Sequence, residues 1–201
     1  MSAVIDAAVR DPEPEENFLR LHRNGDPEAF GNLVAEYRAP VYSYLVRCGV
    51  PPDDRDDLFQ EIFIRLHSAA AHFEAGRPLQ PWLFTIVANR VRTYQRKRRI
   101  REIVFAPASE AGEPEAPDLR EDDLSDARST LVWLESEIPI LPPAQREVLV
   151  LACIERLSHR QIAEALDLPV NTVKTHLRRA RLTLAQRLAA HNAARRSEGG
   201  R

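Results

Sequence analysis

Apolar residues recur at intervals of three and four along two separate stretches of the chain, and this period constrains the fold more than any other feature. The first stretch runs from Asn17 to about Arg101, and the second from about Leu131 to Leu188. Such spacing places apolar side chains on one face of a helix, and neither stretch shows the two-residue alternation of a half-buried strand. The pattern therefore predicts an all-α protein with two groups of helices.

The segment between the two stretches has a different composition. Residues 106–128 contain eight acidic residues, two arginines and three prolines, and they offer little to bury. This composition is typical of a flexible linker. We therefore predict two small helical domains joined by a flexible acidic linker. The predicted segments are a disordered N-terminal tail over 1–16, a first domain over 17–101, the linker over 102–129, a second domain over 130–188 and a disordered C-terminal tail over 189–201.

Composition limits the class of protein. Of the 201 residues 44% are hydrophobic and 29% are charged, which is the balance of a soluble globular protein. No apolar run approaches the roughly 18 residues of a membrane span, and the acidic N-terminus does not resemble a signal peptide. We expect a cytoplasmic protein without membrane insertion.

The two cysteines, Cys48 and Cys153, are too few for a disulfide framework. Two buried thiols are the favoured interpretation, and a redox switch or a shared metal site is left open.

The sequence offers no arrangement of residues that indicates an enzyme. The histidines are scattered, and no Cys and His group has zinc spacing. Neither a glycine-rich phosphate loop nor a nucleophile elbow is present. We therefore predict no catalytic residue, no metal and no cofactor.

The stretch "SHRQIAEALDLPVNTVKTHLRRARLTL" has the spacing of a helix-turn-helix, with Ser158 as a plausible N-cap of its first helix. If the second helix begins near Val170, one face carries Val173, Leu177, Ala180 and Leu184. The opposite face carries only donors and cations, and no acidic residue occurs from Leu168 to Ser197. Contact with DNA phosphates explains that bias. The predicted duplex-binding residues are Thr172, Lys174, Thr175, Arg178, Arg179 and Arg181, with Lys174, Thr175 and Arg178 facing base edges.

Two qualifications apply to this motif. An antiparallel helix pair with a solubilising basic face would give the same bare pattern. Asp167 also occupies the tight turn where glycine is common, although Asp tolerates left-handed geometry better than most residues.

The stretch "QPWLFTIVANRVRTYQRKRR", residues 80–99, joins an apolar half to a basic half on one predicted helix. Trp82 and Ile86 lie one turn apart and can anchor the helix in its domain. Asn89, Arg90, Arg92 and Arg96 follow on the basic half and are predicted to face a polyanion. Trp82 and Phe84 could also stack on an unpaired base, although the core is favoured for Trp82, and Asn89 suits a base contact or a structural bond equally well.

The preceding helix, "DDRDDLFQEIFIRLH", has a polar face of mixed charge that includes Asp57, Gln60, Glu61 and Arg65. Acidic and amide groups do not favour DNA. A protein partner is therefore the better candidate if this face binds anything, and a solvated face is the alternative.

Four segments in this order resemble the extracytoplasmic-function, or group IV, sigma factors of bacterial RNA polymerase. They are "GDPEAFGNLVAEYRAPVY", "DDLFQEIFIRLH", "PWLFTIVANRVRTYQRKRR" and "LPPAQREVLVLACIERLSHRQIAEALDLPVNTVKTHLRRAR". The resemblance implies a sigma region 2 helical bundle and a sigma region 4 helix-turn-helix domain. It also implies a function: binding core RNA polymerase, directing it to −10 and −35 promoter elements and initiating transcription of a specific regulon.

The resemblance assigns roles to particular positions. Asp57, Gln60, Glu61 and Phe63 match the segment that docks on the β′ clamp helices of the polymerase. Asn89, Arg90 and Arg92 match the part that reads the −10 element as a single strand, together with the loop around residues 73–81. Arg96, on the same basic half, is assigned to this single-strand site with them. The range 170–181 matches the recognition helix for the duplex −35 element. The implied partners are core RNA polymerase through its β′ clamp helices and β flap, promoter DNA, and an anti-sigma factor that is soluble or held in the membrane.

One competing function remains open from the sequence alone. A stand-alone helix-turn-helix regulator that binds duplex DNA as a dimer would use the same second domain. It would bind a symmetric duplex site tightly by itself, whereas a sigma factor would open a promoter only with core polymerase.

Overall fold

The computed structural model describes residue 26 and residues 28–74, 77–105 and 126–198, and every described element is helical. The N-terminal tail over 1–16 and the central part of the acidic linker lie outside the described residues. The seven α-helices of the described part are α1 (Ala29–Arg47), α2 (Pro52–Ala69), α3 (Leu79–Phe105), α4 (Asp126–Glu137), α5 (Pro143–Cys153), α6 (His159–Leu166) and α7 (Val170–Glu198). Short 3-10 helices follow α2 at Ala70–His72 and α4 at Ile138–Ile140.

Helices α1, α2 and α3 form the first domain, and their buried residues follow the helical period. On α3 the buried side chains are Leu79, Leu83, Phe84, Val87, Ala88 and Val91. Phe84 is fully buried with its ring 5.7 Å from that of Tyr44, centroid to centroid. The half-buried ring of Trp82 lies 4.8 Å from the ring of Phe73. Phe84 is therefore core rather than a base-stacking surface, and Trp82 packs against the core as expected.

Acidic residues and prolines lie at the helix starts of the first domain. Asp26 accepts a hydrogen bond from the Glu28 backbone N–H at 2.9 Å, two residues ahead of the N-cap of α1, which is Glu28. Pro52 occupies the first turn of α2, followed by Asp53 and Asp54. Proline costs no hydrogen bond there, and carboxylates favour the positive end of the helix.

Helices α4 to α7 form the second domain. The buried faces of α5, α6 and α7 meet through side chains that include Val148, Leu151, Ile162, Leu166 and Val173. The apolar side chains of both domains belong to one contiguous cluster, because α3 packs on α6 and α1 packs on α5. The two domains are therefore docked against each other in this structure.

The helices extend beyond the limits expected from the sequence. Helix α3 continues to Phe105 and α4 begins at Asp126, so both enter the range 102–129 that was predicted as linker. Helix α7 continues to Glu198, through most of the range 189–201 that was predicted as a disordered tail. The reason is contact with α4: the ring of His191 stacks on Trp133 at 5.0 Å, and Arg195 donates to the Ser129 hydroxyl at 3.1 Å. Alanine, a strong helix former, supports the same extension.

Candidate nucleic-acid interface

The helix-turn-helix is built by local hydrogen bonds that its sequence specifies. Ser158 and Gln161 form a reciprocal capping box at the start of α6: the Gln161 N–H donates to Ser158 Oγ at 3.3 Å, and the Ser158 N–H donates to Gln161 Oε1 at 2.8 Å. Each bond satisfies a backbone donor that the first helical turn leaves open. The expected N-cap role of Ser158 is therefore confirmed.

The turn after α6 uses a left-handed residue. Asp167 has a φ of 52°, and the Leu168 N–H returns to the Ala163 carbonyl at 3.0 Å. This bond satisfies a carbonyl at the end of α6, as in the common left-handed helix terminus. Asp167 thus takes the conformation for which glycine is preferred, and the turn closes without one.

Helix α7 begins at Val170, as the sequence predicts. The Pro169 carbonyl accepts from the N–H groups of Thr172 and Val173 at 2.9 and 3.1 Å, so proline starts the helix without a side-chain cap. The buried face is confirmed as Val173, Leu177, Ala180 and Leu184.

The outward face of α7 presents the predicted duplex-binding residues unequally. Lys174, Arg178 and Arg179 are exposed, and none of the ion pairs found between described residues involves them. Thr175 is exposed, but its hydroxyl already donates to the Asn171 carbonyl at 2.9 Å, and Thr172 is half-buried. An open groove of about 420 Å³ runs along this face, lined by residues that include His159, Lys174, Arg178, Arg181 and Leu182. The exposed cations Lys174, Arg178 and Arg181 therefore line a groove that has no acidic lining residue.

The basic half of α3 stands in a different environment. Asn89 and Arg96 are exposed. Arg90 forms an ion pair with Glu61 of α2, and its side chain is 22% exposed. Arg92 pairs with Glu147 of the second domain, Nε to Oε2, at 2.8 Å. Of the four predicted single-strand contacts, two are thus held by carboxylates.

A second groove, about 530 Å³ in volume, lies between α2 and α3 beside Arg90. Its lining includes Glu61, Arg90, Tyr94 and Lys97. The Tyr94 hydroxyl is hydrogen-bonded to Asp54, and burial together with that carboxylate raises the pKa of Tyr94 to about 12. The sequence did not identify Tyr94 as part of this groove. At its position in the helical period a tyrosine could equally lie in the core.

The four residues of α2 that are predicted to bind polymerase differ in their exposure. Asp57, Gln60 and Glu61 are exposed and lie within one helical turn of each other. Phe63 differs: its side chain is 5% exposed, and its ring lies 4.6 Å from that of Phe59. Phe63 therefore belongs to the core of the first domain, because it follows Phe59 by four residues on the same face.

Several polar contacts cross the boundary between the domains. Arg92 Nη1 donates to the Leu166 carbonyl at 2.8 Å, Gln80 Nε2 donates to the Glu155 carbonyl at 3.1 Å, and Arg47 pairs with Glu135 at 2.8 Å. Burial raises the pKa of Glu147, although Arg92 and Arg146 oppose the shift. Burial also raises the pKa of Glu155 to about 7, opposed by Gln80 and Arg47.

The two cysteines occupy different environments. Cys48 is buried at the domain boundary, and burial raises the pKa of its thiol to about 12. Cys153 is exposed, which departs from the expectation of two buried thiols, and Arg181 Nη2 approaches its sulfur at 3.8 Å. Among the described residues, no group of three or more His, Cys, Asp or Glu side chains could hold a metal, and no helix is long and apolar enough to cross a membrane.

Comparisons with known proteins found a family model that matches each of the two domains. The family model for sigma-70 region 2 matches residues 33–100, and the model for sigma-70 region 4 matches residues 131–184. The RNA polymerase sigma factor CnrH of Cupriavidus metallidurans is 32% identical over 187 residues, which cover 90% of this chain and 97% of CnrH. The ECF RNA polymerase sigma factor SigW of Bacillus subtilis is 29% identical over 178 residues, which cover 85% of this chain and 94% of SigW.

A solved structure agrees with the sequence comparisons. CnrH in complex with the cytosolic domain of CnrY superposes with a TM-score of 0.64 at 28% identity, over 89% of this chain and 99% of CnrH. The two docked helical domains, the exposed basic face of α7 and these matches give one conclusion: the chain belongs to the sigma-70 family, as an ECF sigma factor of bacterial RNA polymerase.

Proposed function

We propose that this protein is an alternative sigma factor that binds core RNA polymerase, recognises −10 and −35 promoter elements and initiates transcription of a specific set of genes. The observation that carries the proposal is the presence of both region 2 and region 4 on one chain, together with an acid-free, exposed recognition face on α7. The protein acts as an initiation factor, and bond formation belongs to the polymerase. Its site of action is therefore the cytoplasm, where the polymerase is.

The −35 element is read as duplex DNA by α7. Lys174 and Arg178 reach base edges in the major groove, where a guanidinium can donate two parallel bonds to guanine. Arg179 and Arg181 hold phosphates and fix the register of the helix. Thr172 and Thr175 contribute less, because one is half-buried and the hydroxyl of the other is already bonded within the helix.

The −10 element is held as a single strand by α3 and the loop before it. Asn89 and Arg96 are exposed at the ends of this surface, and Arg90 and Arg92 lie between them. Residues 75 and 76 of the loop lie outside the described part of the chain. Cations at this spacing follow a phosphate backbone, and bases leave the stack to be bound individually.

Core polymerase docks on α2 through Asp57, Gln60 and Glu61, which are exposed, with Phe63 supporting this surface from the core. The β′ clamp helices are the partner for this face, and the β flap is the partner for region 4. An anti-sigma factor would compete for the same surfaces. The solved complex of CnrH with the cytosolic domain of CnrY supports a partner of that kind.

The alternative of a stand-alone dimeric regulator is not favoured. It would use the helix-turn-helix but would leave the whole of region 2 without a role, although the family model covers residues 33–100.

The test combines the purified protein with core RNA polymerase on fragmented genomic DNA, and sequences the 5′ ends of the transcripts. We expect discrete start sites that core polymerase alone does not produce. Asp57→Ala should lose co-elution with core polymerase and lose those transcripts, because it removes an exposed carboxylate from the docking face. Glu36→Ala, which removes an exposed acid from α1, serves as the matched control. Transcripts unaffected by Asp57→Ala would reject the docking face, and no core-dependent start sites would reject the function.

A further inference from the structure

Helix α4 and the C-terminal part of α7 are joined by a row of matched side-chain contacts. Each contact pairs one residue of α7 with one residue of α4. In order along α7 they are Arg187 Nη1 with Glu137 Oε2 at 2.6 Å, the ring of His191 stacked on Trp133 at 5.0 Å, and Arg195 Nη1 with Ser129 Oγ at 3.1 Å. These three pairs together are called the α4–α7 contact below.

The spacing of the contact residues shows that the two helices run antiparallel in a single register. On each helix the partners recur every fourth residue, so they share one face. The numbers rise along α7 while they fall along α4, and a slip by one residue would separate all the pairs. Every partner belongs to the second domain. The α4–α7 contact therefore does not depend on how the two domains dock.

The α7 side of this contact lies beyond the part of the chain that matches the family. The model for sigma-70 region 4 ends at residue 184, whereas Arg187, His191 and Arg195 follow it. The match therefore assigns these residues no role. Their role has to be inferred from what they hold, which is α4.

Helix α4 is where the chain from the first domain reaches region 4. The tether between the DNA-binding domains runs from Phe105, the end of α3, to Asp126, the start of α4. Because Ser129 is bonded to Arg195, the tether joins region 4 beside the C-terminal end of α7. Along that helix, Arg195 lies about 20 Å beyond Arg181, the last predicted contact with the −35 element. The α4–α7 contact thus fixes the tether at one point relative to the recognition face.

Loss of the contact would lengthen the tether considerably. The 12 residues of α4 span about 18 Å as a helix. The same residues reach up to about 40 Å when extended. The difference of about 20 Å is the length of about six base pairs of DNA. Whether α4 stays on α7 therefore decides how far the two domains can separate while both bind one promoter.

We propose that the α4–α7 contact determines promoter specificity by setting the length and attachment point of the tether, and so selects promoters by the distance between their −35 and −10 elements. Trp133 and His191 are positioning residues in this role, because they act through α4 and not on DNA. The inference rests on the proposed function, since it concerns a promoter that has both elements.

The experiment measures transcription by the full-length protein with core RNA polymerase on a promoter found by start-site mapping. The distance between its two elements is varied from about three base pairs shorter to about three base pairs longer, in steps of about 3.4 Å. For the parent protein, transcription should fall by about tenfold or more at the longest distance, because a tether that cannot span its sites loses the second contact.

Trp133→Ala should change the shape of this profile. At the longest distance its transcription should fall by only about threefold. At the best distance it should lose no more than about twofold, because effective concentration falls roughly as the −3/2 power of tether length. The shorter distances should behave as in the parent protein, since a longer tether adds reach only outward. A defect in folding alone would lower transcription equally at every distance.

Two control variants isolate the contact. His191→Phe retains a ring that stacks on Trp133 and should keep the parent profile, whereas His191→Ala should behave as Trp133→Ala does. Leu131→Ala removes a side chain of α4 that is 62% exposed, and it should also keep the parent profile. Hydrogen exchange of the α4 amides reports the state of the contact: exchange should be faster in Trp133→Ala and unchanged in Leu131→Ala.

The outcomes separate this inference from the proposed function. If α4 exchanges faster in Trp133→Ala and the profile is still that of the parent, the contact does not set the distance. If exchange is unchanged in that variant, the same comparison is made with Ser129, Trp133 and Glu137 all replaced by Ala. A uniform loss at every distance, or a parent protein without a preferred distance, would also overturn the inference. A parent protein that yields no core-dependent transcript at any distance would reject the sigma function itself.

Discussion

The two basic helices of this protein carry similar cations in opposite surroundings. On α7 the cations Lys174, Arg178 and Arg179 face solvent, and the sequence around them contains no acid from Leu168 to Ser197. On α3 the central arginines are paired: Arg90 with Glu61 of its own domain and Arg92 with Glu147 of the other. A basic sequence is therefore not by itself an available binding surface; availability depends on which carboxylates the fold brings to it.

The largest expected effect tests this contrast directly. Arg178→Ala should weaken binding of the free protein to duplex promoter DNA by between about fivefold and about 150-fold, because a bidentate base contact contributes about 1–3 kcal/mol. Arg90→Ala should change the affinity of the free protein for single-stranded DNA by less than about twofold, because its guanidinium is already paired. Fluorescence anisotropy measures both affinities. The DNA is a promoter fragment found by start-site mapping, used as a duplex for Arg178→Ala and as a single strand for Arg90→Ala.

A conservative variant sharpens the result. Arg178→Lys retains the charge but loses the planar fork, so it should keep the salt dependence of binding and lose sequence preference. If Arg178→Ala and Arg90→Ala reduce affinity equally, the two surfaces are equally available and the contrast is lost.

Local rules explain why much of the second domain could be predicted from the sequence. The capping box of Ser158 and the buried face of α7 depend on residues within a few positions of each other, so their spacing determines them. The same rules could have placed Phe63 in the core, because it follows buried Phe59 by four residues.

The arrangement around Arg92 could not be predicted in the same way. Arg92 and Glu147 are 55 positions apart and lie on different domains, so their pairing depends on how the domains dock. One signal was present: Arg92 follows Ala88 by four residues, and a small buried alanine on that face permits another helix to approach. The signal indicates a close contact but not its partner.

The domain boundary should also respond to pH through Glu155. Burial raises its pKa to about 7, so its contribution to stability is fully present below the ordinary value of 4.5 and is lost as the pH rises through about 7. As the pH rises from about 5 to about 8, the parent protein loses this contribution and Glu155→Gln does not. The free energy of unfolding of Glu155→Gln should therefore rise on the order of 1–2 kcal/mol relative to that of the parent protein across this range. Urea unfolding followed by circular dichroism measures the difference.

Arg47 and Gln80, which face Glu155 from the first domain, oppose the shift and set its size. Glu164→Gln, exposed on α6, provides the control and should show the same stability relative to the parent protein at both pH values. A Glu155→Gln protein whose relative stability is also independent of pH would mean that Glu155 is exposed to water in solution, and hence that the domains do not dock as in this structure.

The smallest expected effect concerns the turn that aims α7. Asp167 has a φ of 52°, a conformation that an aspartate adopts at some cost and glycine adopts freely. Asp167→Gly should raise the free energy of unfolding by about 0.5 kcal/mol, and Asp167→Val should lower it by about 1 kcal/mol or more, because a branched side chain is strained there. Thermal unfolding of the two variants measures both changes.

Because the Leu168 N–H bond to the Ala163 carbonyl is retained in both variants, neither should change the direction of α7. The affinity of the folded protein for duplex DNA should therefore stay within about twofold of the parent value. Equal stability of the two variants would show that the turn relaxes away from the left-handed conformation in solution, and the direction of the open basic face would then no longer be fixed by this turn.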